Sequence, residues 1–312
     1  MLFNNTPAAI NSAAIIGCNW GLVHLGALQQ SQVEVKALLD LDINKAQHLA
    51  KQHGIAAACN NINQLPPVDL VIIASPAVSH LTLIEHFKNT AIICEKPLMG
   101  LSATQPLSSW PQNLWVNYAF NYLASAQLIN NLLEAEQPVK AHLSSQVNLP
   151  LNFNSEQWFL ETASHPLSWL LHKLGEPKQL SSTKCRGQHD NQHLSLELAC
   201  KQHQIEVDFS LGGSPGIFHQ IRLTQGDNNI ELQGEYVPGQ AWRFAPVLLN
   251  GVAQNEGEFH PQDCWLQANH RSTSSIIEHL RGHTSKQALL AAGGFSPNKA
   301  LWLEQSLVAT QR

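Results

Sequence analysis

Ala13-Ala14-Ile15-Ile16-Gly17-Cys18-Asn19-Trp20-Gly21 is the stretch that decides the fold. Four apolar residues without a polar break read as a strand buried on both faces, and the glycine-bounded turn leads it into a helix over Gly21 to Gln30. Outward from there the pattern repeats. Val33 to Leu39 reads as a strand and Asn44 to His53 as a helix closed by Gly54; Val68 to Ala74 is a strand, Ser79 to Lys88 a helix, and Ala91 to Cys94 and Leu114 to Asn117 are strands. Apolar strands separated by helices predict a doubly wound parallel α/β sheet over residues 1–119, because crossover helices are what join parallel neighbours.

After about Phe120 the texture changes. A helix over Ala124 to Glu136 is followed by segments that alternate apolar and polar side chains: Val139 to Val147, Leu180 to Cys185, Leu194 to Cys200, Ile205 to Leu211, Phe218 to Thr224 and Asn229 to Leu232. Alternation means one packed face and one open face, so residues 120–312 are expected to form an α+β domain on an open, mainly antiparallel sheet. Helices over Trp158 to Leu174, Ser274 to Leu280 and Pro297 to Val308 complete it.

The composition limits the partners. At 312 residues and 44% hydrophobic content the chain can fill about two domain cores. A net charge of −5, with its 18 Lys and Arg scattered, argues against nucleic acid. The apolar run Ala13 to Cys18 is too short for a signal core or a membrane span, so no membrane partner and a cytoplasmic location are expected. Cys18, Cys59, Cys94, Cys185, Cys200 and Cys264 form no C-x-x-C pair and are expected to be reduced and mostly buried. His279 and His283 have ligand-like spacing, but Gly282 lies between them and no third ligand is apparent, so no metal is expected.

The Gly17 to Gly21 turn points to a dinucleotide. A turn this tight lets backbone N–H groups face a pyrophosphate, and an acidic residue about 20 positions on, here Asp40, accepts hydrogen bonds from the adenine ribose. Asp40 favours NAD over NADP, whose 2′-phosphate it would repel; Asp42 reads as an exposed turn residue. The turn is one residue shorter than G-x-G-x-x-G and lacks the middle glycine, and Asn19 is expected to supply the left-handed tolerance a compact version needs. Taken alone, the stretch also fits a strand–helix turn that binds nothing.

With His24 after that turn, Ala74-Ser75-Pro76 followed by His80, Cys94-Glu95-Lys96-Pro97-Leu98, and Glu161 with His165, the chain resembles the Gfo/Idh/MocA family of oxidoreductases over nearly its full length. Glu95-Lys96-Pro97 is the most specific of these elements. The resemblance implies a Rossmann domain, here residues 1–119, followed by a substrate-binding and oligomerisation domain at 120–312. It implies NAD or NADP, of which Asp40 makes NADP the less expected, held by the turn (Gly17, Cys18, Asn19, Trp20, Gly21), by Asp40, by Ser75, Pro76 and His80, and by Glu95 and Lys96. It also implies an active site between the domains, a sugar-, cyclitol- or nucleotide-sugar-like substrate, and a homodimer or homotetramer formed through the sheet.

The residues themselves suggest roles. Lys96 follows a buried strand at the sheet edge where ligands bind, and its ammonium can stabilise alkoxide-like charge; a structural ion pair with Glu95 is the alternative. A cis Lys96–Pro97 bond is expected from the resemblance. His165 is a candidate general base, with Glu161 one helical turn earlier placed to orient it, and Pro166 is expected to start or kink the helix there. A purely structural His165 stays open. His24 and His80 fit nucleotide contacts or helix caps equally. The expected activity is hydride transfer between a nicotinamide and a hydroxyl or carbonyl; a ligand-sensing or regulatory protein of the same fold is the alternative.

Overall fold

The computed structural model describes residues 9–100, 106–149, 155–175, 179–186, 193–258 and 263–309. It divides into two compact units, Met1–Tyr118 with Asn269–Leu301, and Ala119–Ala268 with Trp302–Arg312.

In the first unit, β1 (Ser12–Ile16), β2 (Glu34–Leu39), β3 (Ala57–Cys59), β4 (Leu70–Ile73), β5 (Ala91–Glu95) and β6 (Leu114–Asn117) pair in parallel in the order β3-β2-β1-β4-β5-β6. This is the dinucleotide-binding order, and the direction of winding reverses between β1 and β4, which opens a crevice at the carboxyl ends of those strands. The 3-10 turn Gly21–His24 runs into α1 (Leu25–Gln30), followed by α2 (Ile43–His53) and α3 (His80–His86). Asp42 does more than sit in a turn. Its side chain caps α2, accepting from the N–H groups of Asn44 and Lys45 at 3.0 and 3.2 Å, and Gly54 at φ 67° ends the helix. Strand β3 is short and built from small residues, which left no apolar run to read.

In the second unit, α4 (Ala124–Leu132) precedes β7 (Lys140–Asn148), and α5 (Ser155–Trp158) leads through a π-helical turn at Phe159–Ala163 into α6 (Ser164–Leu174). The sheet continues with β8 (Gln179–Arg186), β9 (His193–Cys200), β10 (His203–Leu211), β11 (Gly216–Gln225), β12 (Asn228–Tyr236), β13 (Arg243–Phe244), β14 (Leu248–Leu249) and β15 (Val252–Ala253). Its path is β15-β14-β12-β11-β7-β10-β9-β8, with β13 on β12, and among the described residues only the β7–β10 pair is parallel. Alternation holds as expected: Leu143, Val147, Val207, Phe209 and Ile221 are buried, while Ser144, Gln146, Asp208 and Gln220 face the open side. Helix α4 stops at Leu132 rather than Glu136, where the chain turns through Glu136 at φ 71° and the Gln225 amide holds the carbonyls of Glu134 and Gln137.

The domain division read from the sequence needs correction at its C-terminal end. Residues 269–301, expected in the second domain, cluster with the first. Helix α7 (Cys264–Leu280), 17 residues long and so more than twice the expected length, buries Ile276, Ile277 and Leu280 in the core formed by Ile10, Ile15, Leu28 and Leu38. Arg281 donates to the Ile10 carbonyl at 2.6 Å, and the Val116 N–H donates to Phe295 at 3.0 Å. The early part of α7, with its Asn, His, Arg, Ser and Thr residues, hides its apolar period. Helices α8 (Lys286–Ala292), which the sequence reading missed, and α9 (Pro297–Ala309) follow.

Cys18, Cys59, Cys94, Cys200 and Cys264 are buried and form no disulfide with one another, and the Cys185 side chain lies outside the described ones. Among the described residues no helix is long and apolar enough to cross a membrane, and no group of three or more His, Cys, Asp or Glu side chains is arranged to hold a metal.

One core histidine has a measurable consequence. Burial pushes His219 down to about 3, its Nδ1 pairs with the Ser145 hydroxyl at 2.9 Å, and its ring stacks on Trp242. In the unfolded chain it protonates near its ordinary 6.5. The folded state therefore loses stability as the pH falls below 6.5, and the loss continues down to the folded value. Between pH 7.5 and 5 the His219 contribution is about 2 kcal/mol. Urea unfolding at the two pH values should show this component in the parent and not in His219→Gln; an equal pH dependence in both proteins contradicts the assignment.

Candidate active site

The turn after β1 is shaped by two positions that exclude a side chain. Gly17 has φ 94°, and a Cβ there would lie 2.4 Å from the Ala74 carbonyl oxygen and 2.6 Å from the Ser75 nitrogen. At Gly21 a Cβ would lie 2.5 Å from Ile15 Cγ2, so this glycine lets the following turn press onto β1. The turn closes on itself through Gly21 N–H to the Gly17 carbonyl at 3.2 Å. Asn19 does not adopt the left-handed conformation expected of it. Gly17 makes the reversal alone, Trp20 is already right-handed at φ −80°, and Asn19 instead accepts a hydrogen bond from the Lys45 ammonium through Oδ1. Trp20 is exposed.

Asp40 lies beside this turn. Its Oδ2 accepts from the Cys18 N–H at 2.9 Å and from Lys45 at 3.2 Å, and its Oδ1 accepts from the Asp42 N–H at 3.2 Å. Burial pushes its carboxyl upward, yet the two N–H groups and the Lys45 ammonium outweigh that and hold it below its ordinary 3.8. Burial first, then Asp40, pushes the Cys18 thiol up to about 11, so Cys18 is an inert part of the turn. The sequence reading missed Lys45, whose position in the first turn of α2 gives no period to notice.

The segment after β4 lies against Gly17. Ser75 Oγ pairs with Ser79 Oγ at 2.6 Å, Pro76 is exposed, and His80 is buried with Nε2 2.7 Å from the Ser75 carbonyl oxygen and Nδ1 2.9 Å from that of Pro97. Both of these bonds are to backbone carbonyl oxygens, of the segments that follow β4 and β5. His24 is also buried. Its Nε2 lies 2.9 Å from Glu95 Oε1 and its Nδ1 2.7 Å from Thr273 Oγ1. Glu95 Oε1 accepts from Asn117 Nδ2 at 2.6 Å, and the same amide donates to Asn269 Oδ1 at 2.6 Å. One buried carboxylate thus joins the ends of β5 and β6, the turn after β1, and α7. Asn117, Asn269 and Thr273 went unrecognised because they come together only through the fold.

Lys96 follows directly, partly exposed at the carboxyl end of β5, and its peptide bond to Pro97 is cis, as expected. Glu95 Oε1 carries both the His24 and the Asn117 contact.

In the second unit, Glu161 lies in the π-helical turn and His165 in the first turn of α6, both half-buried, with Trp158 buried just before them. Pro166 explains the widened turn: it has no N–H to return to the carbonyl four residues back. Hydroxyls serve nearby carbonyls instead, Thr162 on Trp158 at 2.7 Å and Ser164 on Leu160 at 2.5 Å. The His165 ring meets Trp265 edge-on, at 4.7 Å and 90°, and Trp265 stacks on Trp242 at 5.3 Å. Trp265, at the start of α7, is a second contact the sequence did not suggest.

Residues 12–107 fit the model of the oxidoreductase family GFO_IDH_MocA, with its NAD-binding Rossmann fold. This segment is similar to that family. An oxidoreductase from Synechocystis is 34% identical over 94 residues, which cover 28% of this chain and 25% of that protein, so the chain spans about a quarter of the relative it matches. Two solved structures share the fold through nearly the whole chain. An Agrobacterium radiobacter oxidoreductase in complex with NAD+, L-tartaric acid and magnesium is 16% identical, with a TM-score of 0.71 and coverage of 97% of this chain and 95% of that one. A myo-inositol dehydrogenase from Corynebacterium glutamicum is 16% identical, with a TM-score of 0.68 and coverage of 96% of both.

The Asp40 lock can be tested by stability. Asp40→Ala leaves the Cys18 N–H without its acceptor and should lower the unfolding free energy by about 1–3 kcal/mol at pH 7. The folded value is depressed, so the stabilisation is present above 3.8 and disappears as the pH falls through the lowered value. Chemical denaturation at pH 7 that finds parent and variant equally stable contradicts the lock.

Proposed function

We propose that the chain is an NAD-dependent oxidoreductase acting on a hydroxyl or carbonyl of a small polar substrate of the sugar or cyclitol type. The observation that carries this reading is the pair of side-chain-free positions, Gly17 and Gly21, at the crevice beside β1, with Lys96 at the carboxyl end of β5, the strand beyond β4. The backbone there fits a dinucleotide: the pyrophosphate would lie against Gly17 to Gly21 and the adenine ribose near Asp40, with Ser75 and Pro76 on the other lip. Asp40, kept ionised by its partners, supports NAD over NADP. Lys45 beside it softens that preference. When bound, the nicotinamide supplies the hydride donor or acceptor.

Lys96 donates a hydrogen bond to the reacting oxygen and offsets the negative charge it develops. His165 takes the hydroxyl proton in oxidation and returns it in reduction, and Trp265 restricts its ring. Glu161 is the candidate for orienting His165. The myo-inositol dehydrogenase among the structural relatives supports a cyclitol-like substrate by fold alone.

A second reading, a non-catalytic sensor of the same fold, is favoured by one observation: the Cys18 N–H, which a pyrophosphate could use, is already given to Asp40. Calorimetric titration with NAD separates the two at the first step, since absence of binding removes the oxidoreductase reading. With binding established, a screen of polyols and their ketones at the nicotinamide absorbance band should find turnover. Lys96→Ala should then cut kcat about 10²–10³-fold, and His165→Ala about 10²–10⁴-fold. Turnover unchanged in both variants contradicts the assigned roles.

A further inference from the structure

We propose that His24 and His80 are positioning residues for Lys96, gripping the residues on either side of it, and that His80 does so as a doubly protonated ring. The proposal rests on the reading of Lys96 above, but its protonation half stands on geometry alone.

Lys96 lies between Glu95 and Pro97 in the chain. Glu95 Oε1 is 2.9 Å from His24 Nε2, and the Pro97 carbonyl oxygen is 2.9 Å from His80 Nδ1. The two imidazoles are 0% and 1% exposed, so neither bond competes with water. Residues 95 and 97 are therefore each held by a buried ring. His24 anchors its grip on Thr273 of α7, and His80 anchors its own on the Ser75 carbonyl, 2.7 Å from Nε2.

The two rings differ in what their partners allow. The Thr273 hydroxyl can donate, so a neutral His24 satisfies both contacts, with Nε2–H on the carboxylate and Nδ1 accepting from Thr273. His80 has carbonyl oxygens on both nitrogens, and a carbonyl oxygen only accepts. A neutral ring would point one lone pair at an oxygen less than 3 Å away, whereas a ring with both N–H groups satisfies both. Among the described residues, the charged groups on the elements that meet His80 are Glu95 and Lys96 at the end of β5 and Glu85 on α3; residues 75–79 carry none. The cation therefore holds together two lips of the crevice, the Ser75–Pro76 segment and the Lys96–Pro97 segment, and fixes the backbone from which the lysine projects. A displacement of about 1 Å in a group that must meet a reacting oxygen costs on the order of 10²-fold in rate.

Long-range ¹H–¹⁵N correlation spectra of the full-length chain at pH 9 test the protonation. Exposed imidazoles are neutral there, so a ring with both nitrogens in the imidazolium range is expected, and it should vanish in His80→Gln. A spectrum with no such ring overturns the protonation, whether or not the variant folds. The positioning half is read in His80→Gln and His24→Gln. Each should bind NAD within about 3-fold of the parent, keep substrate KM, and lose about 10–10²-fold in kcat. Unchanged kcat, or NAD affinity falling by the same factor as kcat, overturns positioning. A parent protein that shows the doubly protonated ring but turns over no substrate supports the His80 assignment and removes the oxidoreductase reading instead.

Discussion

The close approach of Gly17 to Ala74 and Ser75 is the constraint on which the first unit depends. With less than 3 Å available for a side chain, the chain leaving β1 must reverse immediately, against the end of β4 and over the carboxyl edge of the sheet. That reversal places the turn, Asp40 and the Ser75–Pro76 segment around one crevice. It also explains why a turn one residue short keeps its shape: a single left-handed glycine makes the reversal, and the N–H that a longer turn would leave open is given to Asp40.

Behind the crevice lies a buried polar network rather than an apolar wall. Glu95, His24, Asn117, Asn269 and Thr273 are all within the interior, and each bond among them takes the place of hydration that the unfolded chain enjoys. Such a network specifies one arrangement more strictly than apolar packing, because a small shift leaves a buried donor or acceptor unserved. In the second unit, His165 is held differently, by a perpendicular Trp265 and by a helix start that Pro166 has widened.

Much of this was legible in the sequence, for reasons particular to each element. Apolar strands such as Leu70–Ile73 and the Gly54 cap announce themselves within a few residues, and Glu95-Lys96-Pro97 is a local motif. The return of α7 to the first unit was not legible, because Asn269, His270 and Thr273 look like a polar surface until their partners from residues 24, 95 and 117 are seen. Asn19 was assigned a conformational role by its type, yet a neighbour with no side chain took that role first. His24 and His80 could not be assigned from sequence because their chemistry lies in what their second nitrogens meet. Lys45 and Trp265 belong to helices whose periods give no hint of the turn or the ring they touch.

The central claim is that the short turn after β1 still receives a dinucleotide. A crystal structure of the protein soaked with NAD tests it most directly. The account predicts a pyrophosphate against Gly17 to Gly21, the adenine ribose within hydrogen-bond reach of Asp40, and the nicotinamide beside Lys96. A crevice that stays filled by the protein's own atoms at saturating NAD, or a dinucleotide bound elsewhere, would contradict it.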